Sequence, residues 1–277
     1  MKKLILGFST CPNDTFMFQA MVKGQVDTKG FAFQPVLADI FHLNQMAMAQ
    51  EVDIIKVSYN TFGRLTDSYT LLDSGSALGH NCGPLLISKE SHSLETIIDQ
   101  NLPVAIPGEN TTANLLLGYY GQAITNKKEY IFHEIMPAIL KGEVAAGVII
   151  HENRFTYQQH GLQLIQDLGE YWEKQTQLPI PLGAILAKKS LGQEIIQTLS
   201  SILKSSIQFA FDQPNKVMDY VASHAQEMDE EVMRSHIDLY VNEYSLSLGT
   251  EGRKAIRALL QTGIDMVLYP YQQVPHF

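Results

Sequence analysis

The stretch Glu143-Val-Ala-Ala-Gly-Val-Ile-Ile-His151-Glu-Asn-Arg154-Phe-Thr-Tyr157 decides how this chain is read. Small and apolar residues from Val144 to Val148 lead into Ile149 and Ile150, and polarity arrives abruptly at His151. A short apolar run rich in β-branched residues describes a strand covered on both faces. Ligands of open α/β folds sit just beyond the carboxyl ends of such strands. His151 therefore stands where chemistry would be, on a side chain that titrates near neutral pH. The other reading is a histidine that caps a strand and bonds only to backbone.

Strands and helices alternate outward from this stretch. Strands are expected at residues 3–8, 31–37, 52–57 and 84–88, with helices at 14–23 and 40–49 and a short helix or turn after Ser58. A glycine-rich segment spans 71–75 and 79–83. The pattern then restarts with a helix at 93–99 and a strand at 104–106. Helices at 113–120 and 133–141 and the His151 strand follow. A strand at 162–167, a polar loop or short helix at 169–178 and a strand at 179–187 come next. The remainder reads as helices at 191–212, 214–226, 229–241 and 251–267. The first of these carries Ile195, Leu199, Ile202 and Leu203 on one stripe.

Two internal echoes organise the whole. Pro84-Leu-Leu-Ile-Ser-Lys89 resembles Pro181-Leu-Gly-Ala-Ile-Leu-Ala-Lys188, and the pair reads as crossover strands between two lobes. Glu51-Val52, followed by a strand ending at Ser58, is matched by Glu143-Val144 and a strand ending at Ile150-His151. The expectation is an α/β protein whose two lobes repeat one supersecondary unit. The large lobe comprises 1–88 plus 188–277, the small lobe 89–187, and a cleft lies between them.

Bulk properties limit the function classes. The chain has 277 residues, 45% hydrophobic and 18% charged, the composition of a folded globule. A net charge of −9 without a basic stripe argues against nucleic acid and anionic membranes. The apolar run after Met1-Lys-Lys stops at Phe8, too short for a secretory signal, so a cytoplasmic protein is expected. Cys11 and Cys82 show no C-x-x-C spacing and read as two reduced, buried thiols, so neither metal nor cofactor is expected.

Hydroxyl residues recur at expected helix starts: Ser9-Thr10 before Asp14, Ser58, and Thr111-Thr112. Helix N-termini offer backbone N–H groups and partial positive charge, so such ends can hold a carboxylate without basic side chains. Each can equally be an ordinary cap. Lys56 interrupts the apolar run 52–57; it either touches a ligand, snorkels outward, or pairs with Asp53 or Asp14. Arg154 suits either a carboxylate clamp or a surface ion pair. Asp14 suits either a sugar hydroxyl or a helix cap. A lone histidine beside carboxylate-binding helix ends supports proton abstraction or acid–base elimination. An anionic small molecule is the expected ligand, held through backbone N–H groups and hydroxyls at Ser58, Thr111 and Thr112.

These positions fall in a set of motifs: Phe8-Ser-Thr-Cys-Pro-Asn-Asp-Thr-Phe16, Lys56-Val57-Ser58, Leu78-Gly-His-Asn-Cys-Gly-Pro84, Ile106-Pro-Gly-Glu-Asn-Thr-Thr-Ala113 and His151-Glu-Asn-Arg-Phe-Thr-Tyr157. Together with Asp167-Leu-Gly-Glu-Tyr-Trp-Glu173 and Pro179-Ile-Pro-Leu-Gly183, they resemble the 1,4-dihydroxy-6-naphthoate synthase family of the futalosine route to menaquinone. The resemblance runs from Leu4 to about Leu268. It implies the two-lobed fold of type II periplasmic solute-binding proteins. It also implies cleavage of cyclic dehypoxanthinyl futalosine to 1,4-dihydroxy-6-naphthoate and dihydroxyacetone. His151 would be the base, and Lys56-Val57-Ser58 and Thr111-Thr112 the substrate-binding stretches. The rival activities are a chorismate dehydratase of the same pathway and a non-catalytic receptor for an aromatic carboxylate.

Overall fold

A computed structural model describes residues 2–225 and 229–277. Its strands in chain order are β1 (Lys2–Phe8), β2 (Phe31–Leu37), β3 (Ile54–Ser58), β4 (Tyr69–Leu71), β5 (Ala77–Gly79), β6 (Leu85–Ser88), β7 (Val104–Ile106), β8 (Lys127–Glu129), β9 (Ala146–Ile149), β10 (Gln163–Asp167) and β11 (Ile180–Lys188). They form two sheets, and the chain divides into two compact units, Met1–Gly79 with Pro181–Phe277, and His80–Ile180. These borders fall before the ones expected, at 88 and 187. The reason is that β6 hydrogen-bonds to β9 and β10 in the second unit's sheet, whereas β11 hydrogen-bonds to β3 and β4 in the first.

The first unit's sheet has the order β2-β1-β3-β11-β4, with β5 on β11. β1 is parallel to both β2 and β3, whereas β11 is antiparallel to β3. The second sheet has the order β10-β6-β9-β7-β8. There β7 is parallel to β8 and β9, and β6 is antiparallel to β9. Reading β8-β7-β9-β6 against β2-β1-β3-β11 gives the same sequence of directions. Both echoes thus have a topological counterpart: β3 matches β9, and β11 matches β6.

Burial explains the strand sequences. β3 and β9 are buried at every residue, as apolar runs in central strands must be, whereas β2 lies at an edge and is half-exposed. The first unit's core joins Leu4, Leu6 and Phe8 of β1 to Phe16, Met17 and Met21 and to the stripe Ile196, Leu199, Ile202, Leu203 and Ile207. The second unit's core joins Leu85, Ile87, Ala105, Ile135, Ile139 and Ile149.

Several local expectations differ from the structure. The helix expected to start at Asp14 is Pro12–Val22, because Pro12 fits the first helical turn and Cys11 takes the cap position. Of the two readings of residues 169–178, the short helix is the one formed, at Leu168–Thr176, capped by the Asp167 carboxylate. The short strands β4, β5 and β8 carry three residues each and left no periodicity to detect. The helix expected over 214–226 is Asn215–His224, and Gln226 lies outside the described residues.

Beyond Asp265 the first unit is closed by a tyrosine. Tyr269 is buried and its hydroxyl donates to Asn60 Oδ1 at 3.1 Å. Its ring lies against Gly63 and Gly263, where an added Cβ would stand 2.3 and 2.4 Å from ring carbons. Gly63→Ala should therefore cost about 1–3 kcal/mol by overpacking. Urea unfolding measures this, and Gly63→Ala combined with Tyr269→Leu should recover part of the loss.

Candidate functional site

In the second unit, β7 and β9 run side by side and parallel, with Val104 opposite Ala146 and Ala105 opposite Gly147. Parallel neighbours release their carboxyl ends on one edge of the sheet, the edge where open α/β folds bind ligands. From β7 the chain turns into the helix Thr112–Tyr120. From β9 it reaches His151, whose backbone is left-handed at φ +58°. That region is uncommon for a residue with a Cβ, though histidine is among those that enter it more often. The ring meets Phe132 edge-on, with centroids 4.8 Å apart and planes at 66°. His151 is half-buried, at the end of a wholly buried strand.

Thr111 is the cap of its helix. Its hydroxyl donates to Gly108 O at 2.7 Å and accepts from the Asn114 N–H at 3.2 Å, while its own N–H donates to Gly108 O. Its hydroxyl and N–H are thus both engaged within the helix start. Arg154 is likewise turned inward. Its guanidinium donates to Gly83 O at 2.5 Å and to Asp167 at 2.6 Å, and only 18% of the side chain is exposed. The Asp167 carboxylate also accepts from the N–H groups of Gly169 and Glu170. Arg154 therefore clasps the turn after β9 to the loop before β6 and to a helix start. It is neither a surface ion pair nor an open clamp.

Both cysteines are free thiols and buried. At Cys82, burial pushes the thiol up to about 12, and the negative charge of Glu173 acts in the same direction. Since only the thiolate reacts, Cys82 should resist iodoacetamide in the folded protein at pH 8 and react once urea unfolds it. Peptide mass spectrometry reads this out.

The first unit repeats the arrangement. β1 and β3 are parallel neighbours, with Leu6 opposite Ile54 and Gly7 opposite Ile55. Their carboxyl ends carry Ser9 to Asp14 on one side and Lys56 to Ser58 on the other. Lys56 is 5% exposed and Asp14 1%, and the ammonium donates to Asp14 Oδ1. Lys56 is thus held by Asp14 instead of snorkelling outward. The same carboxylate accepts from the Ser9 hydroxyl at 2.7 Å, the Ser9 N–H at 3.1 Å and Asn13 Nδ2 at 3.1 Å. Asp14 thus reaches back over the helix start without being its cap residue.

Lys56 has room because residue 183, opposite Ser58 on β11, is glycine: a Cβ there would lie 2.5 Å from Lys56 Cε. Alternation along β3 puts Lys56 and Ser58 on one face and Val57 on the other. Ser58 caps the helix Tyr59–Leu65 by position, without a side-chain cap bond. Its N–H donates to Asn44 Oδ1 at 2.9 Å and its Oγ accepts from Asn44 Nδ2 at 3.1 Å. The N–H expected to hold a carboxylate is therefore used by Asn44, and the hydroxyl proton is what Ser58 can offer. Asn44, Asn13 and Gly183, which contact Ser58, Asp14 and Lys56, were not singled out by sequence reading. The one available signal was a polar Asn44 on the inner stripe of its helix, between Leu43 and Ala47.

Removing one member of a buried ion pair leaves an uncompensated charge, at a cost of about 3–5 kcal/mol. Lys56→Met and Asp14→Asn should each show that loss in urea unfolding. The double variant Lys56→Met/Asp14→Asn should be less destabilised than the sum of the two.

A family model described as menaquinone biosynthesis matches residues 4–264. A Thermus thermophilus relative, a 1,4-dihydroxy-6-naphtoate synthase, is 42% identical over 259 residues, covering 94% of this chain and 93% of its own. An Archaeoglobus fulgidus protein of known crystal structure superposes with a TM-score of 0.90 at 31% identity, covering 96% of this chain and 98% of its own. The Escherichia coli periplasmic aliphatic sulphonate binding protein SsuA gives a TM-score of 0.66 at 13% identity, covering 100% and 95%, which is a likeness of fold. The two sheets with repeated strand order are thus a periplasmic-binding-protein-like fold, and the chain belongs to the menaquinone biosynthesis family.

Proposed function

We propose that the protein is a carbon–carbon lyase that converts cyclic dehypoxanthinyl futalosine to 1,4-dihydroxy-6-naphthoate and releases dihydroxyacetone. The observation that carries this reading is the shared edge of β7 and β9, from which His151 and the Thr111–Thr112 helix start both emerge. In this reading the neutral imidazole of His151 accepts a proton from the sugar-derived carbon framework. Carbon–carbon cleavage then frees the three-carbon fragment, and aromatisation of the product ring supplies driving force. Thr112 and the positive end of the helix Thr112–Tyr120 receive the substrate carboxylate. Thr111 holds that helix start in shape. The first unit contributes Lys56, Val57 and the Ser58 hydroxyl to substrate binding, with Asp14 fixing Lys56. Arg154 acts three residues from His151 by pinning the turn that aims it. A biosynthetic step of this kind belongs in the cytoplasm and needs no cofactor.

General-base catalysis contributes about 10²–10⁴-fold. His151→Ala should lower kcat by that range and leave the dissociation constant for the cyclic substrate within severalfold. Normal turnover by this variant would remove His151 from the reaction. Mass spectrometry of the products decides the reaction itself. Naphthoate plus dihydroxyacetone is the expected pair. Dehydration of chorismate, or binding of an aromatic carboxylate without turnover, would replace the proposal.

A further inference from the structure

The buried ion pair has a second layer behind it. The helix Glu230–Tyr240 buries Met233, Ile237 and Tyr240, and on the same stripe lies His236, 1% exposed. A histidine among apolar stripe positions is costly unless bonded. Its Nε2 lies 3.0 Å from Asn13 Oδ1. Asn13 is itself fixed on its other side, because Nδ2 donates to Asp14 Oδ1. That orientation is the only favourable one. Flipped, the amide oxygen would face a carboxylate oxygen, and two acceptors would meet in a buried site. With Oδ1 turned toward His236, the contact requires a proton on Nε2. The chain of donors is therefore directional: His236 Nε2–H to Asn13, Asn13 Nδ2–H to Asp14, and the Lys56 ammonium to Asp14 from the opposite side.

We propose that His236 is a positioning residue for substrate binding: by holding Asn13 with its amide toward Asp14, it fixes the carboxylate that anchors Lys56. This deepens the proposed function and rests on it for the role of Lys56. Without the Nε2 donor, Asn13 is anchored from one side only, and its hold on the Asp14 carboxylate weakens. Lys56 then has a less well-defined partner at the end of β3.

The test uses His236→Phe, which fills the site without a donor, His236→Gln, whose amide can donate from a similar position, and Asn13→Ala, which breaks the relay from the other side should the phenylalanine variant not fold. One readout is independent of substrate. Reductive methylation with labelled formaldehyde, followed by peptide mass spectrometry, should leave Lys56 unmodified in the wild type and in His236→Gln. It should modify Lys56 in His236→Phe and Asn13→Ala. The kinetic readout is a KM raised about tenfold in His236→Phe with kcat little changed, the scale of one hydrogen bond to a charged network. In a Lys56→Met background, His236→Phe should add nothing, since the residue it acts through is gone. Protection of Lys56 in both relay variants, or an equal KM effect of His236→Phe in the Lys56→Met background, would overturn the inference. If the wild type does not turn over the cyclic substrate, the reaction assignment fails while the methylation assay still decides the positioning role.

Discussion

A positive and a negative charge placed inside a protein are tolerable only together, and Asp14 with Lys56 shows what that requires. The carboxylate sits on the first turn of the helix after β1, and the ammonium on the neighbouring strand β3. Their meeting fixes the register of a helix start against a strand end. Four donors converge on the carboxylate, a glycine on β11 makes room for the lysine stem, and an asparagine and a histidine lie behind. Little of this set is exposed to solvent, so each group depends on its neighbours for satisfaction. A polar cluster of that kind specifies one arrangement more sharply than apolar packing does.

The second unit meets the same geometric demand with different chemistry. Its equivalent strands β7 and β9 again deliver a helix start and a strand end to one edge. Here the helix is capped by threonine, and the strand end carries an imidazole in place of a buried lysine. The restraint comes from Arg154, which ties the turn to a carbonyl and to a helix-capping aspartate. One topological unit, used twice, thus supports an electrostatically locked edge in one copy and a titratable edge in the other.

Much of this was legible in the sequence because burial leaves a period. β1, β2, β3, β7, β9 and β11 and the long helices show as apolar runs or stripes, and the two internal echoes point to a repeated unit. His151 and Lys56 stand out because each breaks an apolar run, and Thr111 and Asp14 because they stand at expected helix starts. What stayed hidden lacked a local signature. A three-residue strand such as β8 has no period to read. The border at Gly79 depends on which sheet β6 joins, a long-range choice. The pairing of Arg154 with Asp167 and of His236 with Asn13 links residues 13 and 223 positions apart, and no spacing rule announces such a contact.

The left-handed backbone at His151 bears on how this chain can drift. Glycine or asparagine would occupy that conformation with less strain, by something on the order of 1 kcal/mol for glycine. Selection for robustness alone would therefore favour discarding the imidazole, and the position would become more stable without it. If the ring is the base, its persistence there opposes the fold's own preference, and a library screened only for heat tolerance should enrich inactive replacements at this one codon.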